Sequence, residues 1–375
     1  MFSWAKNAVG LTEPVYGSSA VQSVSSQLLP TNAQWTSLQK PSLAWEVMSG
    51  TNVETKTFYM TSSTGKLGLV QVIYSDVLGI RTTAQFNCKI IDAATATPEL
   101  WCSDNLDNVK FSANKQGFSA TGVSMEISED GSSYRIKGSV NRACIVDITF
   151  KRSTEGFVAG KDGITSFGTD PVKPWGRMYH KFWPRCEVSG SFITQKGEVD
   201  FGGKGAFIHC LQGMKPHFAA ARWNFATFHS PSYSANLMEF TTPPSYGESV
   251  IAVGGITSAS EVLIAGPQPA VVHNTTAPDS DNEWPEPKNT TFSWKGLDKE
   301  GKEVKATLGG DIGKRMDRVD VMGEMPKFVK NIVAGVANTK PYIYQYCPKM
   351  TLKLEVDGKV IEEEGQLFME ATFIS

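Results

Sequence analysis

The sequence predicts an all-β protein built as two tandem β-barrels behind a short N-terminal amphipathic helix. Three observations carry this reading. Aromatic and β-branched runs recur at short intervals, separated by Gly, Asn, Asp and Ser. The 375 residues exceed one ordinary domain. The first eleven residues combine a broad apolar face with a thin polar stripe. The expected division is a helix within 1–18, a first barrel over 34–212 and a second over 213–375.

At 100° per residue, Ser3, Lys6, Asn7 and Gly10 fall within one narrow arc. Met1, Phe2, Trp4, Ala5, Ala8, Val9 and Leu11 cover the rest, and Pro14 stops the helix. Such a face suits the boundary of a lipid bilayer, although a helix docked on its own domain would show the same pattern. Burying a large apolar side chain contributes roughly 1.5–3 kcal/mol, while ordering the segment costs about 1 kcal/mol per residue. The expected anchor is therefore weak and reversible. With Lys6 as its single side-chain cation, attraction to anionic lipid adds little.

Strand-like runs follow. Thr57–Met60, Leu67–Tyr74 and Thr83–Asn87 are rich in β-branched and aromatic residues, and Ser133–Val140 alternates polar and apolar after a turn at Gly131. Gly202–Gly205 reads as a hairpin turn. Near the end, Lys349–Val356, an Asp357-Gly358 turn and Lys359–Ile361 read as a hairpin, with a separate last strand over Gln366–Ile374. Only Lys327–Ala337 looks helical in the globular part. Gly266–Lys288, rich in Pro, Thr, Asp and Asn, reads as a solvated loop. Its Asp279, Asp281 and Glu283 lack the glycine and distal Glu of a calcium loop. Many short antiparallel strands argue for barrels of about lipocalin size over α/β units.

The balance of charges, −2 overall with 20% charged residues, gives no pull on nucleic acid. The six cysteines (Cys88, Cys102, Cys144, Cys186, Cys210, Cys347) form no C-x-x-C pair, so zinc and dithiol chemistry lack support and reduced, buried thiols are expected. The N-terminus lacks a secretory h-region, and apolar runs fall short of a membrane span. A cytosolic chain without metal or cofactor is expected. Gly309–Arg315 resembles a phosphate loop, but Leu308 and Arg315 break the pattern. The five histidines form no H-E-x-x-H, and no G-x-S-x-G elbow is present.

One dense stretch, Phe207–Phe228, gathers His209, Gln212, Met214, Lys215, His217, Arg222, Trp223 and Phe225. His209, Gln212, Met214, His217, Arg222, Trp223 and Phe225 are the candidate ligand-binding residues, since such a mixture can orient an amphipathic ligand in a pocket. An inter-domain strand with satisfied polar groups would carry the same residues.

Met1–Lys6, Thr51–Thr55, Gln71–Ser75, Phe167–Pro171, Phe182–Cys186, Leu211–His217, Ala220–Phe225 and Lys340–Tyr346 together resemble the fungal survival-factor family of tandem lipocalin-like (calycin) proteins. The resemblance extends over nearly the whole chain. It implies ceramide and sphingolipid binding, and movement of ceramide between endoplasmic reticulum and Golgi without vesicles. It also implies survival of oxidative stress and an acetylated N-terminal helix. The expected location is cytoplasmic, peripheral to endoplasmic reticulum and cis-Golgi membranes, with the nucleus left open.

The wider superfamily includes carotenoid hydratases and fungal cyclases. Hydratase-like relatives carry an acidic residue just before the position of His209, where this chain has Ile208. An apolar neighbour cannot act as general acid, which favours a lipid binder, not an enzyme. The alternatives are a hydratase, isomerase or cyclase acting on an apolar isoprenoid or polyketide, and a scaffold that binds a partner through the barrel rims.

Overall fold

Alternation along each strand decides which face of a sheet a residue occupies, and here it sorts the apolar residues into two interiors and one seam. The computed structural model describes residues 14–26, 34–77, 79, 81–324 and 339–375. They form an all-β protein of two large curled sheets.

The N-terminal sheet runs in the order Thr97–Asn105, Arg81–Asp92, Lys66–Val77, Asn52–Ser62, Gly203–Gln212, Gly176–Thr194 and Cys144–Arg152. It continues through Ser133–Gly138, Val123–Ile127, Phe118–Ala120 and Lys110–Phe111. All of these neighbours pair antiparallel. It curls around Phe58, Val70, Phe86, Ile148, Phe150, Trp183 and Phe207. Strand Gly176–Thr194 changes register between Trp183 and Cys186, where Pro184 cannot donate to the ladder.

The C-terminal sheet runs Val262–Gly266, Val250–Thr257, Ser234–Thr241, Arg222–His229, Lys359–Phe373, Lys349–Val356, Glu303–Asp311, Pro285–Leu297 and Ala270–Pro278. Strand Tyr342–Tyr346 joins it beside Lys359–Phe373 and pairs in turn with Asp317–Asp320. Its interior holds Phe228, Leu237, Phe292, Trp294, Leu308, Leu354 and Met369. The chain passes from one sheet to the other between Gln212 and Arg222 through the short helix Pro216–Ala219.

A third apolar cluster fills the seam between the sheets. Phe182, Ile208 and Cys210 from the outer face of the first sheet meet Phe225, Phe240 and Phe368 from the outer face of the second. Tyr59 of the first sheet reaches into this cluster, its ring tilted 4.7 Å from that of Phe225 and 5.2 Å from that of Phe368.

Several expectations change. Gly266–Lys288 is not a loop: Ala270–Pro278 and Pro285–Leu297 pair as a hairpin. Val271, Val272, Thr275 and Thr276 favour a strand, Asn274 and Pro278 are tolerated because Ala270–Pro278 is a sheet edge, and Asp279, Asp281 and Asn282 lie in the connecting turn. The Asp279 carboxylate accepts from Arg315 at 2.9 Å and Arg318 at 2.7 Å, and Asp281 also pairs with Arg318. Of Gly202–Gly205, Gly203 onward is strand. A Cβ at Gly205 would lie 2.5 Å from both the Phe150 ring and the Tyr59 carbonyl oxygen, so these glycines permit close strand packing instead of turning the chain. The last two strands are one, Lys359–Phe373, after a turn with positive φ at Asp357 and Gly358. The six cysteines are unpaired, and all but the half-buried Cys210 are buried. The N-terminal segment of residues 1–13, with Met1 through Leu11, and the Lys327–Ala337 helix lie outside the described residues. From Pro14 the described chain is irregular up to the 3-10 turn Ser18–Ala20.

Candidate functional site

The dense Phe207–Phe228 stretch is divided by the sheets into two sites. In strand Gly203–Gln212, Phe207 and His209 face the interior of the N-terminal sheet, while Ile208 and Cys210 face the seam. The neighbouring strand Asn52–Ser62 alternates in the same way and sends Glu54, Lys56 and Phe58 inward. His209 Nε2 lies 2.7 Å from Glu54 Oε1, with both side chains fully buried. The Tyr179 hydroxyl lies 3.5 Å from the same carboxyl oxygen and 3.4 Å from the imidazole.

The Glu54 carboxyl also accepts from the backbone N–H of Glu46 at 2.8 Å and of Val47 at 3.1 Å. Burial pushes its pKa up, and these bonds oppose the shift. Burial also holds His209 well below the ordinary histidine range, with Lys56 and Lys181 adding to the effect. The neutral imidazole shares one hydrogen bond with Glu54 through Nε2, and its buried Nδ1 has no partner among the described residues. Lys56 Nζ donates to the Leu43 carbonyl at 2.6 Å and to the Tyr134 hydroxyl at 3.2 Å, above the Trp45 ring. Burial lowers its pKa to about 7 and that of Lys181 to about 8.

This arrangement corrects the argument from Ile208. Adjacent residues in a strand point to opposite faces, so the residue before His209 could never have been its acid. The carboxyl comes from the next strand, diagonally across the pair Leu211–Glu54. Chemically the pair is an acid–base couple. The rings of Trp45 and Tyr179, centred 5.9 and 5.4 Å from His209, close over it.

The second site lies on the other face of the C-terminal strands. Strand Arg222–His229 turns Phe228 inward and Trp223 and Phe225 toward the seam. Strand Lys359–Phe373 likewise presents Phe368, Glu370 and Thr372 outward. A cleft of about 240 Å³ is lined by Trp223, Phe225, Met238, Val321, Pro341, Ile343, Glu370, Thr372 and Ile374. Apart from the Glu370 carboxyl and the Thr372 hydroxyl, its described walls are apolar side chains.

Glu370 is held by a chain of bonds that crosses between the sheets. Lys89, buried on the N-terminal sheet, donates to Gln345 Oε1 at 2.6 Å and pairs with Asp317. The Gln345 amide donates to Glu370 Oε1 at 2.6 Å. Burial raises the Glu370 pKa, and the Gln345 bond and the Lys89 charge oppose that.

Among the other candidates, Gln212 is half-buried at a strand end and Met214 is buried in the seam. Arg222 is exposed at the start of its strand, and the side chain of His217 lies outside the described residues. Sequence reasoning missed Glu54, Lys56, Lys89, Gln345 and Glu370. A signal existed for the first two, which share the alternating face of Phe58 and Met60.

Residues 2–375 match the model of the Svf1 family. Over the full length of both chains, the sequence is 50% identical to ceramide-binding protein svf-1 of Neurospora crassa and 47% identical to ceramide-binding protein svf1 of Emericella nidulans. It is 37% identical to ceramide-binding protein svf1 of Schizosaccharomyces pombe, again over the whole of both. In fold it is similar to CghA crystallised with Sch210972, with a TM-score of 0.59 and 11% identity over 95% of this chain and 98% of that one.

Proposed function

We propose that this chain, which belongs to the Svf1 family, binds ceramide with the polar head at Glu370 and the roots of its chains against Trp223, Phe225 and Ile343. The shared name of its relatives supports the ligand. One observation supports the place: an apolar cleft with a single carboxyl group in its wall, whose Oε2 has no bond to a described residue. Ceramide carries an amide N–H and hydroxyl donors that such an acceptor satisfies. A volume of about 240 Å³ is below the roughly 300–1,000 Å³ of pockets that enclose a whole ligand. The cleft therefore takes the head and chain roots, and the remaining chain extends beyond its described walls.

The same reading makes each curled sheet a lipocalin-like barrel. The first barrel is the 34–212 unit and the second the 213–375 unit. An N-terminal amphipathic helix holds them reversibly at endoplasmic reticulum and cis-Golgi membranes. Val15, next to Tyr16, and Val172, three residues before Trp175, are 82% and 84% exposed, and the Tyr16 and Trp175 rings are in contact. Exposed apolar groups such as these suit a membrane-facing surface. Movement of ceramide between the two membranes and support of survival under oxidative stress follow as the physiological role.

The function is binding, not catalysis. A second reading, proton transfer on an apolar isoprenoid or polyketide, is favoured by the His209–Glu54–Tyr179 group alone. Lipid extraction and mass spectrometry of the purified wild type and of Thr372→Trp, which fills the cleft, test the proposal. Ceramide should accompany the wild type and be lost from the variant at unchanged melting temperature. Equal ceramide in both would remove the cleft as the site.

A further inference from the structure

The charges around the cleft do not balance. Lys89 stands against two carboxyl groups, Asp317, with which it pairs directly, and Glu370, which it reaches only through the neutral Gln345 amide. The described walls of the cleft include no lysine, arginine or histidine. Glu370 is thus left with a hydrogen bond to an uncharged donor on one oxygen and the cleft on the other. Glu370 is half-buried, and a carboxylate on an apolar wall with no cation bonded to it among the described residues either takes up a proton or meets a cation. Burial does raise its pKa.

We infer that the cleft also takes single-chain lipids with a protonated amino head, such as a free long-chain base, through an ion pair with Glu370. This rests on the cleft being the lipid site. The walls of Trp223, Phe225, Ile343 and Ile374 accept the chain root, and the ammonium group supplies the missing charge. N-acylation of the amine, which converts a long-chain base into a ceramide, removes that charge and leaves only neutral donors. A phosphorylated head would bring further negative charge beside Glu370, where the described walls hold no cation, and binds more weakly. The site therefore ranks its ligands by head charge: amine first, neutral amide next, phosphate last.

The test uses the delipidated full-length protein and a long-chain base, the same base N-acetylated, and the same base phosphorylated, each below its aggregation concentration. Titrations followed by tryptophan fluorescence should show the free base binding about tenfold more tightly than its N-acetyl form, with the phosphate weakest. Glu370→Gln should bring the free base and the N-acetyl form to within about threefold of each other. Equal affinity of free and N-acetylated base for the wild type, or tighter binding of the phosphate, overturns the inference without any need for a folded variant. If instead Thr372→Trp leaves all three affinities unchanged, the cleft is not the lipid site and the parent reading falls with it.

Discussion

Lys89 of the N-terminal sheet donates to Gln345 of the C-terminal sheet at 2.6 Å, and this bond joins the two sheets beside the cleft. Gln345 in turn orients the Glu370 carboxyl. The seam around them is largely apolar, and Lys89 shares the polar contacts between the sheets with Arg185, which donates to the carbonyls of Ser230, Pro231 and Tyr233, and with Asn236, whose amide donates to the Pro184 carbonyl.

Replacing Lys89 by Met leaves Gln345 with an unmet acceptor and frees Asp317. Since Asp317 is 30% exposed, it regains water, and its part of the loss is small. The expected cost is about 1–3 kcal/mol in urea denaturation, with ceramide binding weakened because Glu370 loses its fixed partner. Wild-type stability together with wild-type binding would show that the bond positions nothing.

Four histidines are held neutral by burial: His209 well below the ordinary value, His180 and His229 at about 3, and His273 at about 4. Below the unfolded pKa of about 6.5 the unfolded chain binds protons that the folded chain refuses. Stability therefore falls as pH drops from 6.5, by up to about 1.4 kcal/mol per pH unit for each histidine. The raised carboxyls of Glu54, Glu239 and Glu370 act the other way, since the folded chain keeps their protons above pH 4.5. His180, between Trp223 and Phe240, isolates one contribution. His180→Phe should flatten the slope between pH 4 and 6 by about 1.4 kcal/mol per unit, read by urea denaturation at each pH. An unchanged slope would mean that His180 titrates normally.

His209→Ala leaves the buried Glu54 carboxyl with its two backbone donors and the longer Tyr179 contact at 3.5 Å. A loss of roughly 1–3 kcal/mol is expected. Ceramide content should stay unchanged, because His209 faces the sheet interior and the cleft lies beyond the opposite face. Loss of ceramide without loss of stability would move the site into the N-terminal sheet and revive the enzymatic reading.

Trp4→Asp places a charge on the apolar face of the N-terminal segment. Lost burial and desolvation cost roughly 3 kcal/mol, about a hundredfold in affinity for vesicles, read by co-sedimentation. The melting temperature should not move. If it falls while vesicle binding persists, the segment packs on its own domain.

The strands were legible because their periodicity is local. Asp357-Gly358 was readable as a tight turn because few residues tolerate two successive positive φ values. The Ala270–Pro278 strand was misread because composition reports solvent exposure, and an edge strand is as exposed as a loop. Trp223 and Phe225 were singled out for residue type, and alternation brought them to the cleft. Glu54 and His209 meet through register across 155 positions, and Glu370 gains its role from Lys89, 281 residues earlier. No local pattern records such pairings.

Photo-crosslinking with a ceramide that carries a diazirine near its head tests the location of the lipid most directly. The account predicts adducts on peptides containing Trp223, Phe225, Ile343 or Ile374, competed away by unlabelled ceramide. Adducts confined to Phe58, Trp183 or Phe207, inside the N-terminal sheet, would contradict it.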